Sequence, residues 1–170
     1  VGERLITSSS DPVFGGVYKL AGIEDETGKI IPKIKISENV VKITNPCFKK
    51  PWRLFDRETG KAIADVITLH DETIDDTKPY TIFHQEYTWK RKTLENFRAA
   101  PLQTQIFSHG KNLTHPRSLT EVQEYCQKQV DETLWEEVKR FEYPHRPYVD
   151  LSQALWEEKQ RLLAGKNHMV

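Results

Sequence analysis

Glycines near the start of the chain could hold a phosphate group. Gly2 is followed by Glu3 and Arg4, and Gly15 and Gly16 form a pair further along. Because glycine has no Cβ, the backbone amides beside it can approach a phosphate closely. Spacing alone favours an ordinary turn for the Gly15 and Gly16 pair, so this signal needs support from the fold.

Two charged segments could bind other ligands. The acidic residues of segment 70–76 could hold a hard cation through oxygen ligands, but they lack EF-hand spacing, and a solvated hairpin end is the favoured interpretation. Trp89 precedes Lys90, Arg91 and Lys92, which together could stack on bases and contact phosphates of a single strand. The rest of the chain cancels this charge, so a solvated face is favoured here too.

Several classes of protein are excluded by composition. The 170 residues include 25 basic and 25 acidic side chains, and a net charge of zero argues against a general polyanion binder. No apolar run approaches the roughly 18 residues that cross a bilayer. We therefore expect neither a nucleic-acid partner nor a membrane. Cys47 and Cys126 fit no zinc spacing and favour free thiols in a reducing compartment.

The elements that would position these residues change in type near residue 117. Before it, short alternating runs are separated by turns, which predicts strands. We expect a hairpin over 52–69 with its turn closed by Gly60 and a bulge near Asp65. Further strands are expected at 17–23, 30–37, 80–85 and 102–108, with a loop or helical turn over 89–98.

After residue 117 the pattern is helical. Ser118 and Glu121 form a capping-box signature, and apolar residues then recur every three or four positions as far as Phe141, which predicts a helix of about six turns. A second helix should begin at 150–153 and end at Gly165. The fold class is therefore α+β: a β-rich amino-terminal two-thirds of antiparallel strands and hairpins, followed by helices. The start at Val1 and the polar average lead us to expect a segment of a longer protein.

Four strings of the sequence resemble bacterial nicotinate phosphoribosyltransferase. They are VGERLITSSSDPVFGGVYKLAGI, PKIKISENVVKITNPCFKK, RLFDRETGKAIADVITLHDE and PYVDLSQALWEEKQRLL. They occur in the family's order from Val1 to about Leu163. The resemblance implies the carboxyl-terminal third of such an enzyme.

The resemblance also implies a fold and an activity. The family has a type II phosphoribosyltransferase fold, an irregular α/β barrel plus a β-rich domain. Residues 1–16 would supply the last barrel strand and the phosphate-binding turn, 17–117 a β-rich segment and 118–170 a helical segment. The complete enzyme would be a cytoplasmic homodimer. It makes nicotinate mononucleotide and pyrophosphate from nicotinate and phosphoribosyl pyrophosphate, using ATP hydrolysis and Mg²⁺.

Site residues carry over from the family only in part. Gly2 matches the second glycine of the family's phosphate-binding turn, and Glu3 and Arg4 follow it, although a carboxylate stands at position 3 where threonine is usual. Thr7 and Ser8 would lie near the site. The family's catalytic histidine lies upstream, so we assign no catalytic residue and no metal ligand to this chain, and we expect it to be inactive alone.

Two alternatives stay open from the residues themselves. One is a β-rich module that binds single-stranded nucleic acid or another ligand through Trp89 and the three cations after it. The other is an interaction domain that buries the apolar stripe of the helix over 119–141 against a partner.

Overall fold

The computed structural model of the chain describes residues 15–165. Ten strands and two α-helices follow one another in these residues. The strands are β1 Gly22–Glu24, β2 Ile30–Pro32, β3 Lys49–Asp56, β4 Ala62–Leu69, β5 Tyr80–Phe83, β6 Arg91–Leu94, β7 Phe97–Pro101, β8 Phe107–Ser108, β9 Lys111–Asn112 and β10 Val149–Leu151. The helices are α1 Leu119–Lys128 and α2 Gln153–Ala164.

A four-stranded sheet with the order β10-β4-β3-β7 forms the centre of the fold. Strands β3 and β4 make the expected antiparallel hairpin, whose turn is closed by Gly60 at φ +69°. The register shifts where Leu54 pairs with Ala64 and Phe55 with Ala62, so the extra residue is Ile63, two positions before the expected bulge. Strand β10 adds to the other side of β4 in parallel.

The two faces of β4 pack against different apolar clusters because side chains alternate along a strand. Ala64 and Val66 belong to a cluster with Leu54 and Phe97, both fully buried. Residues from the opposite face of β4 pack against a second cluster, which joins α2 to the sheet and contains Cys47, Leu151 and Leu155. The core is therefore built from residues on both sides of position 117.

The first two expected strands are much shorter in the structure. Over 17–23 only Gly22 and Ile23 lie in a strand, and over 30–37 only Ile30–Pro32 does. β1 and β2 pair with each other in a separate two-stranded sheet. Among the described residues no further strand lies beside 33–37, so these residues do not form the backbone hydrogen bonds of a sheet despite their alternating pattern.

The segment 89–98 was expected to be a loop or a helical turn, and this expectation is wrong. It contains β6, which pairs with β5, and the beginning of β7, which pairs with β3. The strand expected over 102–108 is reduced to Phe107–Ser108, paired with Lys111–Asn112. Strand β7 pairs with residues about forty positions earlier, which a local pattern does not reveal, whereas β6 and β8 pair within short local hairpins.

The six-turn helix is also wrong in its length. Ser118 and Glu121 form the expected capping box, but α1 ends at Lys128, and a single wider turn over Gln129–Thr133 follows. Leu134 is extended, with ψ of 143°. Since the apolar side chains of α1 are exposed, little packing energy supports a longer helix.

The second helix begins later than expected. Asp150 and Leu151 belong to β10, and Ser152 caps α2 through a hydrogen bond from the Leu155 amide. Gly165 is the C-cap, as expected. The α+β class, strand-rich first and helical last, is confirmed. Within residues 15–165 no helix has the length and apolarity that a bilayer crossing requires.

Candidate functional site

The residues expected to bind phosphate lie outside the part of the chain that the structure describes. They are Gly2, Glu3 and Arg4, with Thr7 and Ser8 nearby. Their assignment stays a prediction.

The acidic segment 70–76 follows the end of β4, and its carboxylates accept hydrogen bonds from within the fold. Glu72 accepts hydrogen bonds from the Leu69 amide and the Ser152 hydroxyl, both at 2.7 Å. Asp75 accepts hydrogen bonds from the Lys78 and Thr77 side chains, which lower its pKa to about 2. Across residues 15–165 no three His, Cys, Asp or Glu side chains are grouped so that they could hold a metal ion.

The basic segment after Trp89 lies along the β5–β6 hairpin. Trp89 is 73% exposed, but the cations after it are placed over aromatic rings of the chain itself. Lys90 lies 4.8 Å from the Tyr87 ring, and Lys92 lies 5.5 Å from the Tyr148 ring. These contacts orient the cations within the fold.

The segment TNPCFKK, residues 44–50, contains a turn before β3 that the sequence pattern did not predict. Pro46 and Cys47 are buried, and Cys47 has a φ of +72°, which is unusual for a residue other than glycine. The Cys47 amide donates to the Ala21 carbonyl at 2.7 Å. Burial raises the pKa of the Cys47 thiol.

The ammonium group of Lys49 is hydrogen-bonded to the backbone of this turn. It donates to the carbonyl oxygens of Asn45, Pro46 and Cys47 at 2.9, 3.1 and 2.6 Å. Burial lowers the pKa of the ammonium, so the three acceptors offset only part of its desolvation. Lys159 of α2 donates to the Asn45 side-chain oxygen at 2.8 Å, so the same turn also ties the helix to the sheet.

Residues 15–45 are here called the amino-terminal segment, and they form one of two long stretches without a buried residue, the other being residues 98–149. None of them is buried, and the first buried positions are Pro46 and Cys47. Yet the segment is rich in large apolar side chains that are exposed, which are Val17, Tyr18, Leu20, Ile23, Ile31, Ile36, Val40 and Val41. Exposed apolar side chains at this density are typical of a surface that contacts other protein.

The comparisons with known proteins agree on one family. The sequence model of the nicotinate phosphoribosyltransferase C-terminal domain matches residues 48–159. Nicotinate phosphoribosyltransferase of Bacillus subtilis (strain 168) is 37% identical over 161 residues, covering 95% of this chain and 32% of the relative. The Caenorhabditis elegans protein of the same name is 29% identical over 158 residues, covering 92% and 27%. The chain thus spans about a third or less of these relatives.

A solved structure shows the same fold. The crystal structure of human nicotinic acid phosphoribosyltransferase superposes with a TM-score of 0.62 at 21% identity, over 71% of this chain and 24% of the human one. The comparisons give no support to the alternative of a nucleic-acid-binding module.

The range that the family model matches agrees with the architecture. It begins at Phe48, directly after the first buried residues and directly before β3, and it ends in α2 at Lys159. It therefore contains the whole four-stranded sheet and the first part of the helix that packs on it. By this match, by the identity to the bacterial relative and by the shared fold, the chain belongs to the nicotinate phosphoribosyltransferase family and contains its C-terminal domain.

Proposed function

We propose that this chain works as the carboxyl-terminal part of a nicotinate phosphoribosyltransferase, and that the amino-terminal segment packs against the remainder of the enzyme. One observation carries the proposal. None of residues 15–45 is buried, eight large apolar side chains among them are exposed, and they precede the family's C-terminal domain within the 161 residues that match the bacterial enzyme.

The energetics favour such a contact. Full burial of a Val, Leu or Ile side chain stabilises a protein by about 1.5–3 kcal/mol relative to leaving it exposed. Val17, Leu20 and Val41 are each more than 60% exposed, so most of that stabilisation is not realised within residues 15–165. A larger protein that covered the segment would gain it.

The reaction we propose is that of the complete enzyme. Nicotinate and phosphoribosyl pyrophosphate would give nicotinate mononucleotide and pyrophosphate, with ATP hydrolysis and Mg²⁺, in a cytoplasmic homodimer. Displacing pyrophosphate develops positive charge at the ribose carbon, so the reactants must be positioned and shielded from water. In this proposal Gly2, Glu3 and Arg4 contact the phosphate, with Thr7 and Ser8 nearby.

In this proposal residues 15–165 support the structure of the enzyme and do not carry its reacting groups. Their acidic segment is occupied by internal hydrogen bonds, and they hold no grouped metal ligands. We therefore expect no phosphoribosyl transfer by the 170-residue chain on its own.

A chimera tests the proposal. This chain would replace the matched third of the Bacillus subtilis enzyme, and nicotinate mononucleotide formation would be measured. We expect the chimera to turn over nicotinate, while the isolated chain and the bacterial enzyme without its matched third do not. A chimera that folds, as judged by circular dichroism, but transfers no phosphoribosyl group would refute the proposal, as would turnover by the isolated chain.

A further inference from the structure

A cavity lies between the β5–β6 hairpin and β10. Its volume is about 240 Å³, smaller than the roughly 300–1,000 Å³ of sites for drug-sized ligands. The apolar floor is formed by Ile82 and Phe83, which are 2% and 4% exposed. Lys90, Arg91 and Lys92 line the rim and are exposed.

A buried carboxylate faces this cavity. Asp150 lines it and is only 7% exposed. Its carboxylate has no hydrogen-bonding partner and no ion pair among residues 15–165, and desolvation by burial raises its pKa. Glu137 Oε2 is the one fully enclosed side-chain oxygen without a partner in the described part of the chain, so the Asp150 oxygens are not fully enclosed, and the residue lines the cavity. A carboxylate left in this state calls for a donor from outside.

The cations and the carboxylate share the cavity without neutralising each other. None of the three cations forms an ion pair within 4.0 Å of Asp150 or of another described carboxylate. Two of them lie over aromatic rings instead, with Arg91 5.3 Å from the Phe83 ring and Lys92 5.5 Å from the Tyr148 ring. The cavity is therefore lined by one buried carboxylate and by three exposed cations that are not paired with it.

The hairpin and β10 are fixed relative to each other. The Gln85 side chain donates to the Val149 carbonyl at 3.3 Å, and the Trp156 indole donates to the Gln85 carbonyl at 3.0 Å. The Phe83 and Trp156 rings meet edge to face at 6.0 Å. The charge separation is thus built into the fold.

We infer that this cavity binds a small zwitterion, with a protonated nitrogen at Asp150, a short apolar body against Phe83 and a carboxylate or phosphate among Lys90, Arg91 and Lys92. Such a ligand supplies the donor that Asp150 lacks and the anion that the rim lacks. A singly charged molecule would leave one end of the cavity unpaired. The inference is independent of the phosphoribosyl transfer proposed above.

Three matched probes test it. The 170-residue chain would be titrated by heteronuclear NMR with 4-(aminomethyl)benzoate, with benzoate, which lacks the nitrogen, and with benzylamine, which lacks the anion. We expect the zwitterion to perturb amides at 82–84, 90–92 and 148–150 and to bind at least about ten-fold more tightly than either analogue.

Two variants separate the ends of the cavity. Asp150→Asn should remove the preference over benzoate, and Lys92→Gln should reduce the preference over benzylamine. Asp71→Asn, an exposed aspartate outside the cavity, should change neither preference. The inference is overturned if the zwitterion gives no perturbation at these amides up to about 10 mM, or if benzoate binds the wild-type chain as tightly.

Discussion

Lys49 occupies the position that a bound cation would take in a ring of carbonyl groups. Three backbone oxygens of the turn converge on its ammonium, and each would lose its only described side-chain donor if the ammonium were removed. A hydrogen bond from a charged donor contributes more than a neutral one, although burial of the ammonium offsets part of the gain. The residue thus stabilises the junction between the amino-terminal segment and the sheet.

Replacing this lysine should destabilise the fold. We expect Lys49→Met to lower the free energy of unfolding by about 2 kcal/mol, because the carbonyl groups of Asn45, Pro46 and Cys47 lose a charged donor. The exposed Lys111 offers a control, and Lys111→Met should cost less than about 0.5 kcal/mol. Urea denaturation of the two variants measures the difference, and equal effects would contradict this role for Lys49.

Asp150 should make stability depend on pH in an unusual direction. Burial raises its pKa above the ordinary 3.8, with only a partial opposing effect from His84. At a pH between the ordinary pKa of an aspartate and the raised pKa of Asp150, the folded chain holds a proton that the unfolded chain releases. The contribution of this group to stability is therefore lost as the pH rises. Most carboxylates that are hydrogen-bonded in a native state have the opposite effect.

The comparison of wild type with Asp150→Asn isolates this contribution. We expect the variant to gain stability relative to wild type as pH rises from about 4 to about 7, since its amide does not titrate. Urea denaturation at several pH values gives the difference, in which contributions from distant groups cancel. The other titratable groups around the cavity, His84, Lys90, Arg91, Lys92 and Tyr148, are unchanged in the variant. A difference that stays constant with pH would show that Asp150 does not act in this way.

At the scale of elements, the two helices have similar caps in very different surroundings. Ser152 is 3% exposed, accepts from the Leu155 amide and donates to Glu72 at 2.7 Å. Ser118 forms an exposed capping box with Glu121 on a helix without buried residues. The first cap joins α2 to the acidic end of β4, whereas the second acts only on α1.

These surroundings predict different costs for the same substitution. Ser152→Ala should lower the free energy of unfolding by about 2 kcal/mol, because a cap and a buried hydrogen bond are both lost. Ser118→Ala should reduce helical ellipticity while changing global stability by about 0.5 kcal/mol or less, because α1 can open locally. Chemical denaturation followed by circular dichroism measures both quantities. Similar losses of global stability would argue against the contrast.

The elements also show which parts of the fold a sequence can predict. The β3–β4 hairpin followed from local alternation and the turn at Gly60, and the capping box of α1 followed from Ser118 and Glu121. The strands within 89–98 did not, since their partners are residues that lie up to some forty positions away. The apolar stripe from Leu119 to Phe141 predicted a long helix, but periodicity does not produce a helix without a surface to pack on.

Candidate sites were less predictable than elements. The basic segment after Trp89 was visible in the sequence, but Asp150 lies about sixty positions further on and becomes its neighbour only when β10 pairs with β4. Asp150 itself resembled the beginning of a helix. A signal was present nonetheless, because an aspartate flanked by Val149 and Leu151 reads equally well as part of a short strand.

At the scale of the whole molecule, the contrast between residues 15–45 and the family domain is the most informative feature. The domain has its own core, although its residues 98–149 are also unburied, whereas the segment has no core residues at all and exposes its apolar side chains. An element with this composition gains stability only when another part of a larger protein covers it. In our proposal the segment therefore belongs, energetically, to the interface with the remainder of the enzyme.

A substitution at one exposed residue tests whether the amino-terminal segment packs against the remainder of the enzyme. Val41 is 88% exposed, so Val41→Asp should hardly change the stability of the isolated chain. In the chimera with the Bacillus subtilis enzyme, a buried charge at that position should lower nicotinate phosphoribosyltransferase activity by about ten-fold or more. Leu113→Asp, at a residue 52% exposed outside the segment, should leave it within about two-fold. Equal activities for the two chimeric variants would contradict the account.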